Sequence, residues 1–219
     1  MTNDEARIAR PLAALLVLGT LIVAAAGLVH PRLMGGGARQ LATIAASPHW
    51  RAVHLGLLAG TGLVIAGIWS QAFRYPRDAG GELLRVGLAV VSIGLAIHAL
   101  NIVYMTGAGH AMAGFHAAGD GGMATLFDAT HPIGLMAARF GNYLIAIGAM
   151  LLGWASTRAG VDPPWVGGLA WLAGVGGLVA VALAHESTQY ILAPAALLIG
   201  WQLAAGGRTL LARRSRPAA

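Results

Sequence analysis

The sequence contains no cysteine and no lysine. The first absence removes disulfides, thiolate metal sites and cysteine nucleophiles, whichever compartment the chain faces. The second is made good entirely by arginine, which beside the abundant alanine and glycine reflects base composition and points to no function. Charge is scarce as well: 10% of residues are charged against 57% hydrophobic, and the mean hydropathy is +0.70. A soluble domain of 219 residues does not normally carry such a balance. Alternation of period two is missing, which leaves helices as the spanning structure, each satisfying its own backbone. No HExxH, CxxC or nucleophile-elbow pattern occurs, so hydrolysis loses its usual signatures. The formal charge of +6 sits in arginines that flank apolar runs, and membrane orientation explains them better than nucleic acid, for which no contact is expected.

What is present is a set of apolar runs. Six of roughly 20 residues, at about 11–30, 50–72, 83–106, 133–155, 164–185 and 188–207, have the length a helix needs to cross a hydrocarbon core. The expectation is an all-α polytopic transmembrane bundle of six helices, one domain over residues 1–219, with the lipid bilayer as its surroundings. Arg7 and Arg10 before a run ending in Ala24, Ala25 and Ala26 resemble a signal peptide, but the run is long for one, and an uncleaved first span is preferred. With the N-terminus cytoplasmic, ten arginines (7, 10, 74, 77, 85, 158, 208, 213, 214, 216) lie inside and four (32, 39, 51, 139) outside or in the outer leaflet. This places both termini in the cytoplasm of a bacterial-type plasma membrane, with the basic tail as a topology anchor.

Packing signals are modest. Tyr143 to Trp154 and Tyr190 to Trp201 match at Tyr, Ala, Ala, Leu, Gly and Trp, a likeness that interfacial tryptophan and small packing residues account for without a repeated hairpin. Gly56 and Gly60 form a GxxxG pair. Pro194 should kink the sixth span or free a carbonyl within it. The phrase Pro48-His-Trp-Arg-Ala-Val-His54 before a Gly- and Leu-rich span looks generically like bacterial six-span proteins and carries no functional implication.

Chemistry gathers between His98 and Asn142. This stretch ends one span, crosses a His/Met-rich outer loop at 107–132 and begins another span. Gly94, His98, Asn101 and Met105 follow at steps of four, three and four and share one helix face, as Arg139 and Asn142 do on the next span. All eight histidines (30, 49, 54, 98, 110, 116, 131, 185) fall on the expected outer side, with Met34, Met105, Met112, Met123 and Met136. Imidazole suits copper, zinc, iron and nickel, and thioether favours reduced copper, so this pattern points to a transition metal. The expected ligands are His54, His98, His110, Met112, His116, His131 and His185. His30, on the outer rim beside Pro31, is given little weight. A polar network of Arg51, Asn101, Arg139, Asn142 and Glu186 should accompany them, because polar groups at membrane depth need internal partners. Arg139 with Glu186 is the expected ion pair.

Three function classes follow. The first is an outward-facing protein that handles copper or a similar ion for uptake, delivery or tolerance. The second is an electron-transfer protein holding haem b on two axial histidines, with Arg51 or Arg139 on the propionates. Its weakness is depth, since His98 lies deeper than His54. The third is an accessory or structural subunit without chemistry of its own.

Overall fold

The computed structural model describes residues 1–183 and 192–212. Those residues are helical throughout their ordered elements, in the sequence α1 (Asn3–Val29), α2 (Gly37–Ala46), α3 (Trp50–Ile68), a 3-10 turn (Trp69–Phe73), α4 (Ala79–Tyr104), a π turn (Met105–Gly109), α5 (His110–Ala117), α6 (Gly122–Ala159), α7 (Pro164–Leu183) and α8 (Leu192–Leu211). Among the described residues five helices are long and apolar enough to cross a membrane: α1, α3 with its 3-10 turn, α4 through α5, α6 and α7. These point to a multi-pass membrane protein, and the exposure of Leu18, Leu21, Ile93, Val103, Ile133 and Phe140 agrees, since such a belt suits lipid better than water. α8 is 20 residues long but carries Gln202, Arg208 and Thr209, and is not among the five.

Local signals explain where the helices begin and end. Thr2 and Glu5 form a reciprocal capping box at the start of α1, with Glu5 N–H donating to Thr2 Oγ1 at 3.2 Å and Thr2 N–H to Glu5 Oε2 at 2.7 Å. Asp78 caps α4 by accepting from Gly81 N–H at 2.9 Å. α6 stops at Gly160, whose φ of +63° is the left-handed conformation that glycine adopts without a Cβ penalty. Pro194 stands two residues into α8 as described and lies against Gly176 of α7. The residues just before α8, where a kink from Pro194 would fall, lie outside the described residues.

The long helices close into a ring in the order α1, α3, α4, α6, α7, α8 and back to α1. Small residues set the closest contacts. Gly19 of α1 meets Gly60 of α3, and Gly56 faces Ala26, so the GxxxG pair does pack a helix. Between α4 and α6 the positions 87, 94 and 101 meet 148, 141 and 134 in antiparallel register, a seven-residue period of glycine broken only by Asn101. A Cβ on Gly141 would stand 2.6 Å from the Gly94 carbonyl oxygen and 2.6 Å from the His98 nitrogen. Only glycine permits that approach.

One correction concerns the expected outer loop at 107–132. The chain there is mostly helix: α4 runs through the π turn into α5, and α6 begins at Gly122 after a short turn. At about 1.5 Å per residue the 38-residue α6 is roughly 57 Å long, well beyond a hydrocarbon core of about 30 Å. The excess forms a helical hairpin, covered by α2, around a second apolar core of Leu41, Ile44, Trp50, Met105, Met112, Ala113 and Phe127. Burial of these side chains offsets the helix cost of Gly107, Gly109 and Gly114. The main core, including Leu16, Ile68, Leu84, Leu88, Leu152, Val166 and Trp201, lies in the ring itself.

Candidate functional site

The hairpin end of the ring holds the most developed polar arrangement. His54, in the second turn of α3, points its Nδ1–H at the Trp50 carbonyl at 2.9 Å. That bond commits Nδ1 as the donor, and the lone pair of Nε2 is turned away from the helix. It faces Nε2 of His30, at the C-terminal cap of α1, across 3.2 Å. Trp50 backs the pair: its indole centroid lies 4.0 Å from the His54 ring and 5.5 Å from His30. The indole N–H in turn donates to the Met105 carbonyl at 3.0 Å. Met105 opens the π turn, a distortion that often marks functional positions because it releases carbonyls from the helical ladder.

This geometry redistributes the expected ligands. His54 is buried and paired, but its partner is His30, the histidine given little weight in the sequence. His98 lies at the α4 and α6 interface within reach of the Ala138 carbonyl and the Asn142 side chain, while its Nδ1 has no hydrogen-bond partner. His110 and His116 are half-buried on α5, each with a buried Nδ1 likewise without a partner. Met112 is packed in the second core. His131 is stacked on Tyr104 with ring planes 8° apart and 4.5 Å from the Phe127 centroid, the setting of an aromatic packing residue. His185 lies outside the described residues. Among the described residues no group of three or more His, Asp or Glu side chains is placed to hold a metal ion.

The expected polar network is equally divided. Gly94, His98 and Asn101 do share the face of α4 that packs on α6, and Asn101 Oδ1 is buried against Gly134 without a hydrogen bond. Arg51, at the start of α3, is exposed. Arg139 and Asn142 are half-buried on α6. Glu186, and with it the expected Arg139 pair, lies outside the described residues.

A second polar centre, at the opposite end of the ring, has no counterpart in the sequence reading. Asp162, in the turn between α6 and α7, is buried and bound by Arg74 at 2.5 Å and by Arg208 of α8 at 2.5 Å. Tyr75 donates to the same carboxylate at 2.8 Å and contacts Ser156 at 3.0 Å. Burial alone would raise the Asp162 pKa, but the hydrogen bond and charge of Arg74, with Tyr75 and Arg208, hold it below the usual carboxylate value. Burial raises the Tyr75 phenol, which stays protonated as a donor. The centre joins the chain after α3, the α6–α7 turn and α8, and its chemistry is that of a clamp. Nearby, Arg10 donates to the Ala212 carbonyl at 2.7 Å, so the first and last described helices meet on this face.

Comparison of the chain with protein-family models, curated proteins and solved structures finds no match. The site must be read from its own geometry.

Proposed function

We propose that the chain is a six-span protein of a bacterial-type plasma membrane, both termini cytoplasmic, whose outer side holds a transition metal ion such as copper for uptake, delivery or tolerance. The bias of the arginines supports the orientation, with α8 as the sixth span. The meeting of Arg10 with Ala212 supports it too, since an even number of crossings returns the chain to its starting side.

The observation that carries the metal reading is the His30 and His54 pair. A histidine that donates one ring N–H to a backbone carbonyl has its other nitrogen fixed in orientation and made more basic, the usual support behind a metal-bound imidazole. With metal–nitrogen bonds of about 2.0–2.1 Å, two nitrogens 3.2 Å apart subtend about 100° at the ion, near a tetrahedral angle. His110, Met112 and His116 on α5 add ligands of the same chemistry to this end of the molecule. Haem b has less support, because ring centroids 4.8 Å apart leave no room for a macrocycle between His30 and His54.

The second reading, an accessory subunit, is favoured by the lack of any three-ligand group among the described residues. Purification in mild detergent followed by an absorption spectrum and elemental analysis separates these. Stoichiometric copper or zinc supports the metal reading, a Soret band selects haem, and neither leaves the accessory role.

A further inference from the structure

We infer that the His30 and His54 pair takes a soft monovalent ion, reduced copper or its redox-inert counterpart silver, in preference to any dication. The inference rests on the metal reading above and narrows it.

The first argument is a proton count. His54 gives its Nδ1–H to the Trp50 carbonyl, so its Nε2 carries a lone pair toward the Nε2 of His30. A neutral His30 meets it across 3.2 Å in one of two tautomers: its own Nε2–H donates to His54, or, with the proton on Nδ1, two lone pairs confront each other. One positive charge between them turns that repulsion into attraction. A bound cation selects that second tautomer.

The second argument concerns charge. Among the described residues neither ring is ion-paired to a carboxylate, and no Asp or Glu completes a ligand group around them. Cysteine thiolate is excluded by composition. Both ligands are therefore neutral, and the full charge of the ion stays uncompensated beside Trp50 and an apolar core. Desolvation cost grows with the square of the charge, so a dication pays about fourfold what a monocation does in the same place.

The third argument is the donor set. Imidazole and thioether accept reduced copper, whereas zinc and calcium want carboxylates or more nitrogens. Met105 and Met112 are buried in the core that Trp50 closes. Opening the nitrogen pair from 3.2 Å toward the roughly 4 Å of linear coordination needs a shift of under 1 Å, and His30 lies beyond the last turn of α1, where the chain can supply it.

The test is competitive titration of the detergent-purified full chain with Cu(I) against a chromophoric Cu(I) chelator, and with Zn(II) against a zinc indicator. The parent should hold one Cu(I) per chain at least about 100-fold more tightly than Zn(II). His30→Ala and His54→Ala should each lower Cu(I) affinity at least about tenfold, and His131→Ala should leave it unchanged. His54→Gln, which keeps a polar side chain in place, controls for folding and should lose Cu(I) equally. If Zn(II) binds as tightly as Cu(I) and is lost in the same variants, the monovalent inference fails while the metal reading stands. If Cu(I) binding is indifferent to both histidines, the site is misplaced and the inference fails. If neither ion is held, a proton bridges the pair, and the metal reading falls with the inference.

Discussion

Replacing Gly141 by alanine tests whether the α4 and α6 contact is as close as it stands. The new Cβ would lie 2.6 Å from the Gly94 oxygen and the His98 nitrogen, whereas ordinary contact begins at 3.4 Å, so α4 must retreat by about 0.8 Å. Both obstacles are backbone atoms, and no rotamer change relieves them. Overpacking of this kind costs about 1–3 kcal/mol, against which alanine regains about 1 kcal/mol of helix propensity. Gly168→Ala on α7 is the natural control, because nothing lies within 4 Å of its Cβ and only the propensity gain operates. The difference between the two variants isolates the steric cost, expected at about 1–3 kcal/mol. Reversible unfolding in mixed detergent and SDS micelles, followed by far-UV circular dichroism, measures it. A Gly141→Ala protein as stable as Gly168→Ala would show that the helices are not held at that distance.

Other expectations follow from the two polar centres and the topology. Asp162→Asn should destabilise the fold by about 3–5 kcal/mol, since Arg74 is left buried beside a neutral amide. The Asp162 pKa is lowered in the folded state, so its contribution is present above the unfolded value and is lost as pH falls through the folded one. Melting temperature should therefore drop below about pH 4 in the parent, and more weakly in Asp162→Asn; equal acid profiles would remove the clamp from the account. Trp50→Phe should cost about 1–3 kcal/mol by stranding the Met105 carbonyl, and it should loosen His54; a variant with unchanged melting and unchanged metal affinity would refute its supporting role. Reporter fusions in the turn at 118–121 and after residue 212 should lie on opposite sides of the membrane, and the same side for both would overturn the orientation.

Helix content and the stripe from Gly94 to Asn101 were legible because each depends on the spacing of neighbouring residues. The α5 hairpin was not, because glycine and histidine in a short segment read as loop, and the helix there is held by distant residues such as Leu41, Ile44 and Trp50. His30 was undervalued for a related reason. Its approach to His54 follows from the crossing of α1 and α3 at Gly19 and Gly60, which puts the end of one helix level with the beginning of the other. Arg74 and Arg208 were counted as markers of orientation, and their convergence on Asp162 needs three elements that lie far apart in the chain. The seven-residue glycine period of α4 and α6 is written in the sequence itself, at 87 and 94 and at 134, 141 and 148.

The seven-residue register has a mechanical consequence at the hairpin end. Positions that meet across α4 and α6 share a constant sum, 101 with 134 and 94 with 141, so Pro132 inside α6 stands nearly level with the π turn that starts at Met105. Both helices of the hairpin thus have their weakest backbone at one height, each lacking regular i to i−4 bonds there. Aligned soft points set one height at which the two helices can yield together. About twelve residues, or roughly 18 Å of helix, lie beyond that height, so a 10° bend carries the tip about 3 Å. The fastening is the bond from the Trp50 indole to the Met105 carbonyl, the same side chain that backs His54.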